Sequence, residues 1–136
     1  TPATVPRVVD GDTVGIELIP PAGLESSEKV RLIGVDTPET KDPRKPVQHF
    51  GPEASEHTRR LVDGKRVLLA FEPALRDYYG RLLAYVFLED GTCVNLAIVE
   101  NGYGHAYTKY PFLFTDDFIL AERKARTRKA GLWGPP

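Results

Sequence analysis

The stretch TVPRVVDGDTVGIELI (residues 4–19) alternates apolar and polar side chains with a period near two and is rich in β-branched residues. This pattern is typical of a strand with one buried face. The pair Asp10-Gly11 interrupts the alternation, as a hairpin turn or a β-bulge does. The chain therefore begins with β structure that is broken at an aspartate.

Further along the chain, four more segments have strand character. They are residues 29–36 (KVRLIGVD), 66–72 (RVLLAFE), 81–88 (RLLAYVFL) and 92–94 (TCV). Residues rich in glycine, proline and charge separate them and predict connections. These are a loop over 20–28, a long polar surface loop over 40–50, and turns over 76–80 and 89–91.

Three segments predict helices. Gly51-Pro52-Glu53 favours a first helical turn, and Gly64 ends that helix. Its predicted inner face comprises Ala54, Thr58, Leu61 and Val62. Asn95 is expected to cap a short helix that ends at Gly102. The last helix is predicted over 116–130, with an inner face of Phe118, Ala121 and Ala125.

Five strands with three helices suit a small barrel. We predict an α+β fold, a five-stranded OB-fold β-barrel with three helices, in one domain over residues 1–136. The open face of such barrels binds oligonucleotides or sugars. The hydrophobic content of 41% is enough for one core, and 136 residues leave no room for a second domain of ordinary size.

Composition excludes several classes of protein. The apolar runs are too short to span a membrane, and one cysteine excludes an internal disulfide and a cysteine-rich zinc site. The formal net charge of −1 argues mildly against a nucleic-acid binder. Because the chain contains no methionine, even at position 1, we expect a processed product from which any signal peptide has been removed.

Two aspartates at strand positions, Asp12 and Asp36, are flanked by apolar residues. A carboxylate in such surroundings is costly to bury unless a cation meets it. Two carboxylates from separate strands, with a backbone carbonyl, make an oxygen-only site for Ca²⁺ or Mg²⁺. The alternative is that Asp-Gly and Asp-Thr-Pro are ordinary turn formers.

Arg31 and Arg81 are the basic candidates. Two arginines beside acids suit bidentate binding of a phosphate and stabilisation of charge in phosphoryl transfer. The alternative is that each pairs with a nearby acid at the barrel rim. In a regular strand Arg31 and Asp36 face opposite sides, unless a bulge at Gly34 changes this.

Four tyrosines, Tyr78, Tyr79, Tyr107 and Tyr110, lie in turns or irregular segments, where nucleic-acid bases stack on exposed rings. The alternative is that they are ordinary packing or surface residues. The three histidines form no ligand pair, and we predict that His57 lies on the surface of its helix.

Together these strings resemble one family. The strings VDGDTV, RLIGVDTPET, GPEA, DYYGRLLAYV and DGTCVN occur in this order, between about Thr4 and Trp133. The chain closely resembles the thermonuclease family, staphylococcal-nuclease-like domains with an OB barrel. The resemblance implies that Asp12 and Asp36 bind Ca²⁺ by their side chains and Thr37 by its backbone carbonyl.

The same resemblance implies the remaining site residues. Glu39 positions or deprotonates an attacking water at the metal, while Arg31 and Arg81 grip the scissile phosphate. Asp10 lies behind the metal ligands. Tyr79 contacts the nucleotide, and Tyr107 and Tyr110 fall near a further substrate-contacting pair, with different spacing. Tyr78 stands where members often carry a basic residue, and the loop over 20–28 is longer than in the best-known members.

The implied function is a Ca²⁺-dependent nuclease that hydrolyses DNA and RNA, with single strands preferred. We expect a monomer, without membrane association, that is secreted or otherwise extracytoplasmic. One alternative is a noncatalytic module that binds nucleic acid or protein through the OB face. Another is a structural or tethering domain of a larger chain.

Overall fold

Strands β1 (Pro2–Asp10) and β2 (Thr13–Glu17) form an antiparallel hairpin. Their register shifts between Val8 and Asp10. The interruption predicted at this point is therefore both a turn and an irregularity in strand pairing.

The computed structural model describes residues 1–38 and 49–135. Further strands and helices follow the hairpin. In chain order these are β3 (Ser27–Leu32), β4 (Val35–Asp36), α1 (Gly51–Val62), β5 (Arg66–Ala70), β6 (Leu82–Phe87), α2 (Val94–Glu100), β7 (His105–Ala106), α3 (Thr115–Arg128) and a 3₁₀-helix, Gly131–Trp133.

Five strands close into a barrel in the order β1-β2-β3-β6-β5, because β5 also pairs with β1. β3 and β6 run parallel, whereas the other pairings in the barrel are antiparallel. β4 and β7 form a separate two-stranded sheet. This architecture confirms the predicted α+β class, with its five-stranded OB-type barrel and three helices; the extent of the domain over 1–136 stays a prediction.

Alternation along each strand decides which side chains enter the core. In β3, Val30 and Leu32 are buried, whereas Lys29 and Arg31 face outward. The barrel interior is filled mainly by β-branched and leucine side chains: Val5, Val14, Ile16, Val30, Leu32, Leu69, Leu82 and Val86. The same alternation leaves Arg31 at the outer surface, where it is available to a site.

The strand predicted over 29–36 is broken at Gly34, so the single-strand prediction is wrong there. Gly34 has a φ of +80°, which favours glycine, and a Cβ at this position would lie 2.6 Å from the ring of Phe112. No other residue fits without displacing the aromatic ring. The resulting turn changes the direction of the chain between Arg31 and Asp36.

The strand predicted over 92–94 is also wrong. Cys93 forms one isolated bridge to Phe87, and Val94 already begins α2. The wrong prediction arose because a short β-branched run is compatible with either a strand or the start of a buried helix. In addition, the short strand β7 directly precedes Tyr107, one of the four tyrosines predicted to lie in turns or irregular segments.

Asn95 does not cap α2 as predicted. Its side chain is fully buried, and its Oδ1 accepts a hydrogen bond from the Val86 amide at 2.9 Å. Its Nδ2 donates to the carbonyls of Ile33 and Ala84 at 2.9 and 3.0 Å. Asn95 thereby ties α2 to β6 and to the turn between β3 and β4, because tertiary hydrogen bonds have replaced the local capping role.

The predicted inner faces of the longer helices are largely correct. α3 buries Phe118, Ala121 and Ala125. In α1, Leu61 is only partly buried and Ser55 takes an inner position instead. Within residues 1–38 and 49–135, no helix combines the length and the apolar character needed to cross a membrane.

Candidate active site

The turn between β1 and β2 carries Asp12, whose side chain is buried. Its Oδ1 accepts a hydrogen bond from the Thr13 hydroxyl at 3.1 Å, and its Oδ2 accepts one from the Thr37 amide at 3.1 Å. Gly11 precedes it, and a Cβ on Gly11 would lie 2.6 Å from Oγ1 of Thr37. The Asp12 carboxylate is therefore held directly against the chain at Thr37.

Helix α1 supports this turn from behind. The Ser55 hydroxyl donates to Oδ1 of Asp10 at 3.0 Å, and the Thr58 hydroxyl donates to the Gly11 carbonyl at 2.6 Å. Both hydroxyls are buried. Asp10 also accepts the Gly11 amide at 3.0 Å, so it shapes the turn behind Asp12. The sequence-based prediction did not include Ser55. It lies three residues before the predicted inner residue Thr58, and residues at this spacing share a helix face, so its inward position could have been predicted.

Arg31 brings the two candidate aspartates to one point. Its Nη2 lies 3.4 Å from Oδ2 of Asp12 and 3.8 Å from Oδ1 of Asp36. Its Nη1 donates to the carbonyls of Leu32 at 2.9 Å and Val35 at 2.5 Å. The guanidinium therefore bridges both carboxylates and the turn after β3. Arg31 and Asp36 face the same side, but not through a bulge within one strand, because a turn at Gly34 ends β3 and redirects the chain.

The residues at this point suit a hard cation. Asp12 and Asp36 supply carboxylate oxygens, and the Asp36 side chain is 54% exposed. The Oγ1 of Thr37 is buried and makes no hydrogen bond with the described part of the chain. Carboxylate, hydroxyl and carbonyl oxygens are the ligands that Ca²⁺ and Mg²⁺ prefer.

The described residues supply only part of a cation site. Within residues 1–38 and 49–135, no group of three or more histidine, cysteine, aspartate or glutamate side chains is placed to hold a metal. Glu39, the predicted partner of the attacking water, lies outside the described residues. The two aspartates with Thr37 are thus a fitting but incomplete oxygen-ligand set.

Arg81 is held by an acid that the sequence analysis did not single out. Oδ2 of Asp77 accepts Nε of Arg81 at 2.7 Å. Oδ1 of Asp77 accepts the amides of Tyr79 and Arg81, each at 2.9 Å. One carboxylate therefore shapes the turn and directs the guanidinium. The sequence could have indicated this role, because Asp77 lies two residues before Tyr79 and four before Arg81. At such spacings an aspartate side chain can accept hydrogen bonds from the amides that follow it.

Arg31 and Arg81 are carried by neighbouring segments of the barrel. β3 and β6 pair in parallel, with Arg31 opposite Leu83. Arg31 faces outward from β3, and Arg81 directly precedes Leu82, the first residue of β6. The sequence suggests both arginines, and the strand register brings together the two segments that carry them.

Two of the three predicted substrate tyrosines lie beside these arginines, and the third lies beside one of those two. The Arg31 guanidinium is 5.7 Å from the Tyr107 ring, and the Arg81 guanidinium is 5.6 Å from the Tyr79 ring. The rings of Tyr107 and Tyr110 are 6.3 Å apart, and the Tyr107 amide donates to the Gly34 carbonyl at 2.8 Å. Tyr79 and Tyr110 are exposed. Each guanidinium thus has an aromatic ring at its side, an arrangement that suits a phosphate next to a base.

His57 is not the surface residue predicted. Its ring stacks on Tyr103 with centroids 4.0 Å apart, and its Nε2 lies 3.3 Å from Nδ2 of Asn101. Its Nδ1 is buried without a hydrogen bond to the described residues. Burial, reinforced by the charge of Arg60, lowers the pKa of His57 below its ordinary value.

Known proteins align with most of the length of this chain. The family model described as staphylococcal nuclease homologue matches residues 29–135. The chain is 38% identical over 134 residues to the thermonuclease of Staphylococcus intermedius. This alignment covers 95% of this chain and 74% of that protein. It is 37% identical over 135 residues to endonuclease YncB of Bacillus subtilis (strain 168). That alignment covers 96% of this chain and 60% of the endonuclease.

A third relative is the SPbeta prophage-derived endonuclease YokF of Bacillus subtilis (strain 168), 36% identical over 133 residues. The chain spans only 43% of its length, so it corresponds to part of each of the two Bacillus relatives. The match to the family model covers well over half of the chain and includes β3 to α3. The chain therefore belongs to the staphylococcal nuclease homologue family, and it is an enzyme of the nuclease class.

Proposed function

We propose that the chain hydrolyses phosphodiester bonds of DNA and RNA in a Ca²⁺-dependent reaction, with single strands preferred. The observation that carries this proposal is the position of Arg31 Nη2 beside both Asp12 and Asp36. Two carboxylates and one guanidinium meet at this surface. Such a surface suits a cation and an anionic phosphate together, as phosphoryl transfer requires.

Asp12, Asp36 and the Thr37 carbonyl are the proposed Ca²⁺ ligands. Bound Ca²⁺ supplies positive charge that polarises a phosphoryl oxygen. With two carboxylates, we expect weak affinity, with a dissociation constant on the order of 10⁻⁴ to 10⁻³ M. The hydrogen bond from the Thr37 amide to Asp12 keeps the carboxylate close to the proposed carbonyl ligand.

The two arginines have different proposed roles. Nη1 of Arg31 bonds two backbone carbonyls, and its Nη2 faces two carboxylates, so Arg31 holds the site together as well as facing the phosphate. Arg81 uses its Nε on Asp77, and its Nη nitrogens have no hydrogen-bond partner within the described residues. We therefore assign to Arg81 the bidentate contact with the phosphoryl oxygens, made through its two Nη nitrogens.

Glu39 is the proposed acceptor of a proton from the attacking water. It follows Asp36 by three residues in the sequence. Tyr79, Tyr107 and Tyr110 are proposed to stack against bases. Stacking needs bases that are not paired in a duplex, and this supports the preference for single strands.

The test is an assay of purified protein on single-stranded DNA, duplex DNA and RNA, each in millimolar Ca²⁺ and in excess chelator. We expect cleavage of all three in Ca²⁺, fastest for the single strand, and none in chelator. Cleavage that persists in chelator would reject the metal requirement. Binding of nucleic acid without cleavage under every condition would favour the noncatalytic module.

Three variants refine the assay. Glu39→Gln should lower kcat much more than it weakens DNA binding, because Glu39 acts mainly in the transition state. Arg81→Lys should fail to restore the activity lost in Arg81→Ala, because lysine lacks the two-nitrogen fork. An unchanged kcat in Glu39→Gln would remove Glu39 from the mechanism.

We also propose that the protein is a monomer and acts outside the cytoplasm, on the strength of its resemblance to thermonucleases. Sedimentation analysis would contradict the monomer if the mass were twice 15.1 kDa. Fractionation of the source cells would contradict the location if the protein stayed in the cytoplasm.

A further inference from the structure

Arg76 connects two loops that lie beside the candidate site. Its Nη1 donates to Oε1 of Glu28 at 3.0 Å and to the Gly80 carbonyl at 2.9 Å. Its Nη2 donates to Oε2 of Glu28 at 2.7 Å and to the Gly23 carbonyl at 2.9 Å. Four hydrogen bonds thus join one side chain to β3, to the loop between β2 and β3, and to the turn before β6.

The centre of this connection is a partly buried ion pair. The Glu28 side chain is only 8% exposed, and its Oε2 also accepts the Glu25 amide at 2.9 Å. The hydrogen bonds from Arg76 lower the pKa of Glu28, and the carboxylate in turn raises the pKa of Arg76. Both groups therefore stay charged at neutral pH, and the geometry of the pair is defined at both ends.

The turn that Arg76 holds carries Tyr79 and Arg81, which are two of the proposed substrate contacts. Within it, the Asp77 amide donates to the Arg81 carbonyl at 2.9 Å and the Gly80 amide to the Asp77 carbonyl at 3.0 Å. Tyr79 projects from this turn into solvent, as does Tyr78, which is 98% exposed. Their rings are 5.8 Å apart at 85°. The turn is folded by its own bonds, and its attachment to the rest of the molecule includes Arg76.

We propose that Arg76, held by Glu28, is a positioning residue for nucleic-acid binding. It braces the turn over 77–81 against the loop over 18–26, so that the tyrosine pair is already placed before substrate arrives. The loop over 18–26 then forms one border of the surface on which the strand lies. This inference rests on the proposed function, because it assigns a part to a site that binds nucleic acid.

The expected effect is on binding more than on chemistry. A braced turn loses little freedom when a base stacks on it, whereas a loose turn must be ordered at the expense of affinity. The two hydrogen bonds that Arg81 donates to the Asp77 carboxylate do not involve Arg76, so the Arg81 guanidinium stays directed when Arg76 is replaced. Loss of the brace should therefore raise KM by about 2- to 10-fold and change kcat by less than about twofold.

The main variant is Arg76→Lys. Lysine keeps the charge opposite Glu28, but one ammonium group cannot reach the four acceptors that the guanidinium joins. The ion pair is thus retained while the Gly23 and Gly80 carbonyls are released. Glu28→Gln is the second variant, because it leaves arginine in place and weakens its anchor. Ile98→Val, a conservative change in the core of α2, is the control for a general loss of stability.

Three measurements test the proposal. Hydrogen exchange of the amides of 77–81 should be faster in Arg76→Lys than in the wild type. KM for a single-stranded oligonucleotide should rise as stated, and Ile98→Val should leave it unchanged. In a Tyr78→Ala/Tyr79→Ala background, Arg76→Lys should raise KM by less than about 1.5-fold, because the tyrosine contacts that Arg76 positions are absent.

The proposal is overturned if exchange accelerates and KM does not change, or if Arg76→Lys raises KM equally in the double-alanine background. Failure of the proposed function gives a different result, namely no hydrolysis by the wild type. In that case, fluorescence anisotropy of a labelled single-stranded oligonucleotide in chelator replaces KM. Weaker binding by Arg76→Lys would support the brace, and equal binding would overturn it.

Discussion

Two arginines with the same predicted role have different surroundings. The Nη nitrogens of Arg31 face two carbonyls and two carboxylates, whereas Arg81 is held at Nε by one carboxylate of Asp77. Both residues could be proposed from the sequence, since arginine beside acids suggests phosphate binding. The hydrogen-bond partners of the two arginines could not be predicted from the sequence. A guanidinium has five N–H donors, and tertiary contacts decide which of them are used.

Asp77→Asn tests the directing role of this carboxylate. The asparagine Oδ1 can still accept the amides of Tyr79 and Arg81, but its Nδ2 meets the Nε–H of Arg81 as a second donor. We expect kcat to fall about 10- to 100-fold, as for other residues that orient a reactive group. The thermal unfolding midpoint should change little. Steady-state kinetics and calorimetry provide the two measurements.

The control for this prediction is the same substitution in an Arg81→Ala background. Asp77 acts through Arg81, so Asp77→Asn should have little further effect on kcat there. An equal loss of kcat in both backgrounds would contradict the directing role.

At the scale of elements, α1 and the turn between β1 and β2 form one unit. Thr58 and Ser55, three residues apart on α1, donate to the Gly11 carbonyl and to Asp10. The helix and its inner face could be predicted because apolar residues recur at helical spacing. The hydroxyl contacts could not, because they join residues 45 and 47 positions apart in the chain. The same limit applies to Gly34, whose turn depends on space left by aromatic rings of a later segment.

Thr58→Val removes the bond to the turn while keeping the shape of the side chain. An acceptor left unsatisfied in the interior costs about 1–3 kcal/mol of stability. If α1 holds Asp12 in place, the Ca²⁺ concentration that gives half of the maximal thermal stabilisation should rise about 3- to 10-fold. Thermal unfolding at a series of Ca²⁺ concentrations measures both effects.

Two matched variants interpret this result. Thr58→Ser keeps the hydroxyl and should retain the Ca²⁺ response. Val62→Ala, on the same buried face of α1, should lower stability without changing the Ca²⁺ midpoint. A shift of the midpoint in Val62→Ala as large as in Thr58→Val would show that any loosening of α1 has this effect.

At the scale of the whole molecule, the packing of α1 against the segment after α2 creates a pH-sensitive contact. His57 of α1 stacks on Tyr103, and burial lowers its pKa in the folded state. In the unfolded chain the pKa returns to about 6.5, so the unfolded state binds more protons as the pH falls through this value. The stability contributed by neutral His57 is complete above pH 6.5 and is lost as the pH falls from there toward the folded-state pKa.

His57→Phe should therefore flatten the dependence of the unfolding midpoint on pH between about 7.5 and 5. Phenylalanine keeps a ring against Tyr103 but binds no proton. His49→Gln, at an exposed position, should leave the dependence as it is in the wild type. Parallel curves for the wild type and His57→Phe would contradict a pKa lowered by burial.

The sequence by itself determined the α+β class with its five-stranded barrel and three helices, and it supplied the candidate residues for the site. Strand alternation, helix start signals and the strings VDGDTV and RLIGVDTPET are local, so neighbouring residues are enough to recognise them. The tertiary structure decided which groups meet. Arg31 reaches Asp12 through the pairing of β2 with β3, and it reaches Asp36 because the chain turns at Gly34. Glu28 contacts Arg76 across 48 positions of the sequence. Such contacts depend on the closure of the barrel, which brings distant strands and their loops together, and no local pattern records that geometry.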